Sequence, residues 1–190
     1  MGNPKLRTLQ KQHPKFFRAV AADARTALAY RAEEFEQNRV RLAVQIIRLS
    51  WVSDAFLAQV FYRAKARLQY FRIPIFPTIL HRLAMMHSQV CIGTPVVIEP
   101  GIYIAHGQVV IDGLTNIGTG VVIFPWVTVG LKAGDLQGPT IGRNVHIGTG
   151  AKVIGRVIIG EGAVIGANAV ATRDVAPHQT VVGIPAEVLQ

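Results

Sequence analysis

The side chains best suited to proton transfer near neutral pH are the six histidines of the sequence, because a free imidazole titrates close to neutrality. His106 differs from the others because it stands at the head of a repeating unit, in Ile104-Ala105-His106-Gly107. The others lie in a tail, on a predicted helix, at an outward place of a repeat and near the final turn: His13, His81, His87, His146 and His178. A histidine zinc site needs three converging imidazoles. Only His106 is suitably placed in the repeat, and we therefore predict no metal site.

The element that presents His106 is a six-residue repeat. From residue 141 to 176 the chain divides into the hexads IGRNVH, IGTGAK, VIGRVI, IGEGAV, IGANAV and ATRDVA. The pattern extends upstream to residue 92, with a slip of one residue between positions 110 and 117. Its openers are Ile92, Ile98, Ile104, Val110, Ile117, Ile123, Val129, Ile141, Ile147, Val153, Ile159, Ile165 and Ala171. Such a short fixed period indicates a solenoid of stacked β-coils.

Each hexad predicts one short strand and one corner. The opening aliphatic residue points inward and stacks on its equivalent about 4.8 Å away in the next coil. Glycine in second place relieves crowding at the corner and permits positive φ. The segment Leu131 to Thr140 (LKAGDLQGPT) breaks the pattern and is predicted as a loop. It is either a binding loop on a rigid scaffold or a tolerated insertion.

The first half of the chain predicts helices that lead into the solenoid. A basic tail runs to Pro14, and helices are expected over about residues 16–36, 38–70 and 78–90. The prolines at 74 and 77 end the second helix, because proline disfavours helix at its own position and before it. We therefore divide the chain into a helical domain, residues 1–90, for oligomerisation or membrane-surface contact, and a β-solenoid domain, residues 91–190.

The net charge of +9 is concentrated in the helical domain. Residues 1–90 hold 15 Lys and Arg against 5 Asp and Glu, whereas residues 91–190 hold 5 against 6. This basic surface fits either a solvated helical face or a contact with anionic lipid. Because no nucleic-acid motif or aromatic stacking pattern accompanies the charge, we predict no nucleic-acid partner.

Targeting signals are lacking in the sequence as read. The polar N-terminus has no apolar signal region, and the most apolar helical stretch, residues 40–62, contains Arg41, Arg48 and Asp54. Those charges exclude a membrane span. The single Cys91 excludes an internal disulfide and a cysteine metal cluster. We predict a cytoplasmic protein that can meet the inner face of the membrane.

Taken together, these residues resemble the hexapeptide-repeat acyltransferases. The resemblance is carried by the repeat, the histidine of residues 104–107, the run Val127-Thr128-Val129-Gly130 before a loop, and the ending Val182-Gly183-Ile184-Pro185-Ala186. With its helical first half, the chain is most similar to the serine acetyltransferase branch. This implies a left-handed parallel β-helix, an exception to the right-handed crossover rule. It also implies homotrimers, with a dimer of trimers through the helices as a further expectation.

The resemblance also implies a site. His106 would be the general base that takes the proton from an acceptor hydroxyl as it attacks the thioester of acetyl-coenzyme A or another acyl-coenzyme A. This thioester is a co-substrate, and no tightly bound cofactor is expected. Coenzyme A would lie between neighbouring coil domains against Gly130, Thr149, Gly150, Ala167 and Asn168. Its phosphates require cations, and the available ones are Lys152 and Arg173.

Four positions depart from the serine acetyltransferase pattern. Ala105 replaces an Asp before the catalytic histidine, Cys91 replaces the Asp that orients the imidazole, and Gln137-Gly138 replaces the Arg-His of the loop. An amino-acid substrate needs charged partners for its ammonium and carboxylate groups. We therefore expect a sugar or polysaccharide hydroxyl as acceptor, contacted by Tyr103, Trp126 and Gln137.

Several alternatives stay open. The chain could be a true serine O-acetyltransferase of cysteine biosynthesis, or a non-catalytic trimeric scaffold. The group that orients His106 could be Glu99, Asp112 or a backbone carbonyl. Serine acetyltransferases under cysteine feedback usually extend beyond the last coil, and this sequence ends at Gln190, so the resemblance implies no regulation by such a tail.

Overall fold

The helical region contains more breaks than the sequence predicted. The computed structural model describes residues 11–189, so most of the predicted basic tail lies outside the described residues. From residue 16 onward this region forms the helices α1 (Phe16–Tyr30), α2 (Arg39–Val52), α3 (Phe56–Tyr70) and α4 (Phe76–Ser88). The single helix expected over residues 38–70 is wrong, because Ser53 is extended (φ −111°, ψ 118°) and separates α2 from α3.

Fifteen short strands follow in the described part of the chain. They are β1 (Val90–Ile92), β2 (Val97–Ile98), β3 (Tyr103–Ile104), β4 (Val109–Ile111), β5 (Leu114–Ile117), β6 (Val122–Ile123), β7 (Thr128–Gly130), β8 (Gln137–Ile141), β9 (His146–Ile147), β10 (Lys152–Ile154), β11 (Ile158–Ile159), β12 (Val164–Ile165), β13 (Val170–Ala171), β14 (Thr180–Val182) and β15 (Glu187–Val188). Within each sheet the strands pair in parallel, except that β15 runs antiparallel to β14.

The strands form the three faces of a prism. Face A holds β1, β4, β7, β10 and β13, face B holds β2, β5, β8 and β11, and face C holds β3, β6, β9, β12, β14 and β15. Up to β13, successive strands belong to successive faces, so each of the first four coils contributes one strand to each sheet. In the last coil, face B is represented only by a bridge between Ile159 and Val175. This architecture confirms the predicted fold class, a left-handed parallel β-helix of hexapeptide repeats preceded by an α-helical region.

Columns of stacked aliphatic side chains fill the prism. The paired inward residues are Ile92, Ile111, Val129, Val153 and Ala171 on face A; Ile98, Ile117, Ile141 and Ile159 on face B; and Ile104, Ile123, Ile147, Ile165 and Val181 on face C. All are buried. Burial stabilises the fold by about 1.5–3 kcal/mol for each large aliphatic side chain.

The structure moves the one-residue slip of the repeat to an earlier corner. Val110, which the sequence indicated as an inward opener, is 41% exposed, and Ile111 occupies the column instead. A shift of one residue turns the side chains of a strand to its other face. The extra residue therefore lies between Ile104 and Ile111, in the corner that contains His106.

The predicted loop is also shorter than expected. Strand β8 begins at Gln137 and pairs with β5, with an irregular register between Leu114 and Asn116. The segment outside the coils is thus residues 131–136, at the corner where the chain passes from face A to face B.

Helix α3 covers the open end of the solenoid. The first coil has no preceding coil whose amides could donate to its carbonyls, so these carbonyls need other donors. Side chains of α3 supply them: Gln59 donates to the Ile102 carbonyl, Tyr62 to Val96, Arg63 to Ile98 and Glu99, and Lys65 to Ile92. These four side chains are buried. The helix therefore acts as a cap that holds the helical region against the coils.

Candidate active site

His106 lies at the one corner of its row that is lengthened by a residue. Seven positions separate the inward residues Ile104 and Ile111, whereas six separate Ile123 from Val129 in the next coil. Gln108 completes the turn with a φ of 57°. The longer turn brings the His106 side chain to the surface, where it is 63% exposed.

The imidazole of His106 contacts a carboxylate from the helical region. Its Nδ1 atom lies 3.0 Å from Oδ2 of Asp54, in the break between α2 and α3. The contact leaves Nε2 as the ring nitrogen open to a substrate hydroxyl. One exposed histidine with an oriented ring is the arrangement required of a general base.

Ser88, the last residue of α4, joins the Asp54 turn to the His106 turn. Its hydroxyl donates to the Asp54 carbonyl, and its own carbonyl accepts from the Gln108 amide at 3.0 Å. A Cβ atom added at Gly107 would overlap the Ser88 carbonyl. Glycine is therefore required where the corner meets α4.

Several of the predicted coenzyme A residues lie on one edge with His106. We call the corners between faces C and A the His106 edge; it comprises residues 105–108, 124–126, 148–150 and 166–168. Trp126, Gly150 and Asn168 share one corner position in successive coils, each with positive φ. The Gly150 amide donates to Pro125, and the Asn168 amide donates to Thr149. Three coil steps of about 4.8 Å span about 14 Å from His106 to Asn168.

Small residues line this edge beside the repeating backbone ladder of the coils. Thr149 and Ala167 directly precede the positive-φ positions, so both lie on the His106 edge. Trp126 is 60% exposed there. Apart from Trp126, the side chains along the edge therefore leave space for an extended ligand that contacts the backbone.

The remaining predicted coenzyme A residues lie on or across face A. Lys152 points outward from β10, and its Nζ atom donates to the Trp126 carbonyl at 2.6 Å. Gly130 ends β7, and the exposed Arg173 follows β13 at the far edge of the same face. In a single chain, Lys152 therefore borders the His106 edge, whereas Gly130 and Arg173 do not.

Two of the predicted acceptor contacts lie apart from the His106 imidazole. The Tyr103 ring stacks on Tyr30 of α1, with centroids 4.7 Å apart and planes inclined by 11°. Gln137 lies at the start of β8, at the corner between faces A and B. Tyr103 packs the helical region onto face C, and Gln137 is on a different edge from His106.

The acids that the sequence suggested for orienting His106 face other groups. Glu99 accepts from the Thr119 amide at 3.2 Å, at the corner between faces B and C. Asp112 lies at the corner between faces A and B, close to Lys65 and Cys91. The structure therefore places neither of these two alternatives on the His106 edge.

Asp54 is the residue of this site that the sequence reasoning missed. Ser53 and Asp54 are helix-starting residue types placed inside an apolar helical pattern. Such residues favour the turn before a helix over its interior. That signal could have predicted a new helix start at residue 56.

Metal coordination and membrane insertion each require a recognisable structural feature. Among residues 11–189, no three His, Cys, Asp or Glu side chains converge closely enough to hold a metal ion. None of the helices in that range combines the length and apolar composition that a membrane span requires.

Comparisons with known proteins agree with this geometry. The family model described as bacterial transferase hexapeptide (six repeats) matches residues 138–173. A serine acetyltransferase of Helicobacter pylori strain 26695 is 36% identical over 132 residues, which cover 67% of this chain and 77% of that protein. The serine acetyltransferase of Synechococcus elongatus is 39% identical over 137 residues, which cover 70% of this chain. The match spans only 56% of the length of that relative.

Solved structures show the same likeness. Soybean serine acetyltransferase complexed with serine superposes with a TM-score of 0.78 at 31% identity, covering 94% of this chain and 71% of that one. The serine acetyltransferase of Neisseria gonorrhoeae superposes with a TM-score of 0.76 at 25% identity, covering 96% and 70%. The expectation of a sugar or polysaccharide acceptor is wrong in the light of these relatives, since all carry the name serine acetyltransferase.

Proposed function

The chain belongs to the serine acetyltransferase family of hexapeptide-repeat proteins, and on that premise we propose that it transfers an acetyl group from acetyl-coenzyme A to the hydroxyl of L-serine. The observation that carries the proposal is His106: an exposed imidazole, held at Nδ1, at the head of an edge of small residues. The substitutions at Cys91, Ala105, Gln137 and Gly138 change the groups available to serine, but they do not remove this base.

The reaction follows from the free ring nitrogen. Nε2 of His106 takes the proton of the serine hydroxyl as Oγ attacks the acetyl carbonyl carbon. The new C–O bond forms and the C–S bond of the thioester breaks. The departing thiolate then takes the proton from His106, which gives O-acetyl-L-serine and free coenzyme A and returns the imidazole to its starting state.

We place acetyl-coenzyme A along the His106 edge. The thioester would lie at His106, with the pantetheine arm passing Thr149, Gly150, Ala167 and Asn168. Lys152 would meet a phosphate from the side of face A. The positive-φ corners support this placement, because they keep side chains away from the backbone that the arm would contact.

We further propose that the protein is a homotrimer and that the site is shared between protomers. Val110 on face A and Trp126 on the adjoining edge are exposed apolar side chains next to His106. A neighbouring solenoid packed there would cover both. In such a trimer, Gly130, Gln137 and Arg173 of one protomer could face the His106 edge of the next, which explains why one chain separates them.

Thiol release from acetyl-coenzyme A in the presence of L-serine tests the activity. We expect acceptor-dependent turnover in the native protein and its loss, by at least about a hundredfold, in His106→Ala. His146→Ala is the matched control, because His146 is an exposed solenoid histidine on face C, away from the His106 edge. Turnover with serine no faster than acetyl-coenzyme A hydrolysis would refute the proposal.

The expected contacts of the helical region stay predictions. Helix α2 presents a stripe of exposed apolar side chains, and arginines lie beside it on the same helix. The stripe consists of Val40, Val44, Ile47 and Trp51. A second trimer or an anionic membrane surface would be sought there. Light scattering of the intact protein, and its co-sedimentation with vesicles containing phosphatidylserine, measure the two contacts.

A further inference from the structure

The orienting partner of His106 comes from the helical region and not from the coils. The Asp54–His106 contact joins residues that are 52 positions apart, with Oδ2 and Nδ1 separated by 3.0 Å. The resemblance places the orienting acid at position 91, within the first coil, where this chain has cysteine.

Cys91 is poorly suited to take over that role. Burial, with a contribution from Asp112, raises the pKa of its thiol, so the uncharged form is favoured. A neutral thiol is a weak hydrogen-bond acceptor. The negative charge that would stabilise a protonated imidazole therefore has to come from elsewhere.

The backbone around Asp54 is fixed from both sides. Ser53 is buried and extended, and its amide donates to the Leu49 carbonyl at 3.0 Å, which ends α2. The Asp54 carbonyl accepts from the Ser88 hydroxyl, and Ser88 also accepts from Gln108 beside His106. Asp54 and His106 are thus held against the same residue of α4. The Asp54 carboxylate is exposed, but the Asp54 backbone is linked through Ser88 to the turn that contains His106.

We propose that Asp54 is the positioning residue of the catalytic base. It accepts the Nδ1–H hydrogen bond of His106, which selects the tautomer with a free lone pair on Nε2 and stabilises the imidazolium formed during acetyl transfer. This inference rests on the proposed acetyltransferase function. It also assigns a role to the break between α2 and α3, because a continuous helix could not present Asp54 at this point.

Asp54→Asn tests the role of the carboxylate, with Asp54→Glu as the conservative variant and Glu161→Gln as a carboxylate-to-amide control on the solenoid surface. We expect kcat for serine acetylation to fall at least about tenfold in Asp54→Asn, within the loss of about 10⁴-fold known for a triad aspartate changed to asparagine. The KM for acetyl-coenzyme A should stay within about twofold. Asp54→Glu should recover part of kcat, and Glu161→Gln should match the native protein.

Nitrogen-15 NMR of the histidine ring adds a readout that does not depend on turnover. The native protein should show neutral His106 protonated at Nδ1, and Asp54→Asn should lose that preference. An active native protein whose kcat and His106 tautomer are both unchanged in Asp54→Asn overturns this inference. A native protein without serine-dependent turnover overturns the proposed function instead, and the NMR comparison still decides the Asp54 contact.

Discussion

Arg63 and Asp23 form a buried, two-pronged ion pair between α3 and α1. Nε of Arg63 donates to one carboxylate oxygen at 2.8 Å and Nη2 donates to the other at 3.0 Å, and both side chains are at most 2% exposed. Asp23 also accepts from the amides of Gly101 and Ile102, whereas Arg63 donates to carbonyls of the same coil. Asp23 thus accepts from backbone amides at the open end of the solenoid, and Arg63 donates to backbone carbonyls there.

Removing one member of this pair should destabilise the protein strongly. Arg63→Met leaves the Asp23 carboxylate buried without its cation and leaves two coil carbonyls without a donor. We expect the free energy of unfolding to fall by about 3–5 kcal/mol, measured by urea denaturation. Arg67→Met, one turn further along α3, is the control and should change it by less than about 1 kcal/mol. Equal small losses in both variants would contradict the capping role.

Lowering the pH should reduce the free energy of unfolding, because the partly buried His13 becomes protonated. Burial lowers the pKa of His13 to about 4, with the nearby Arg63 and Lys65 charges adding to the effect, from 6.5 for an exposed histidine. Between these values the unfolded chain binds a proton that the folded chain does not, so stability present above pH 6.5 is lost as the pH falls toward 4. The full contribution is about 3 kcal/mol.

The His13→Phe variant isolates that contribution. It retains an aromatic ring against Tyr62, whose centroid lies 6.2 Å from that of His13, but it cannot titrate. Urea midpoints between pH 7 and 4.5 should fall less steeply in the variant than in the native protein. Parallel pH dependences would show that His13 does not titrate in this way.

Gly107→Ala should disturb the base without removing it. The added methyl group would overlap the Ser88 carbonyl and push the His106 turn away from α4. We expect a loss of about 1–3 kcal/mol in unfolding free energy. Because His106 and Asp54 would separate, kcat should fall more than the KM for acetyl-coenzyme A rises. Steady-state kinetics with unchanged kcat would contradict the close fit.

Gly130→Ala offers the contrasting case. A Cβ atom there meets only the Thr128 methyl group, at 3.9 Å, so the fold should accept it with less than about 1 kcal/mol change. If coenzyme A lies against Gly130, the methyl group should raise the KM for acetyl-coenzyme A several-fold. An unchanged KM would place the ligand elsewhere, and a large loss of stability would show that the glycine is required by the fold.

The solenoid can be predicted from the sequence because the same contacts recur in every coil. Each inward residue, such as Ile98, Ile117 and Ile141 on face B, stacks on a copy of itself one coil away. The hexad therefore predicts strand, corner and core at once. The same repeat marks the corner turns, and with them the edge on which Thr149, Gly150, Ala167 and Asn168 lie.

The identity of the acyl acceptor and the register of the hexad repeat are the two features that the sequence predicts incorrectly. The departures at Cys91 and Ala105 suggested a different substrate, because the sequence does not show that a carboxylate from another element can meet His106. The sequence predicts the slip of the repeat one corner too late, because Val109, Val110 and Ile111 are all apolar and only their burial in the structure distinguishes the inward residues.

The sequence by itself determined the β-solenoid and the helical first half, and it singles out His106 as the proposed base, since each depends on residues close together in the chain. Only the tertiary structure decided that α3 caps the first coil, that Arg63 pairs with Asp23, and that Asp54 reaches His106. Those contacts join positions 27 to 52 residues apart. No local periodicity encodes them, because they form only when the helices dock on the open end of the coils.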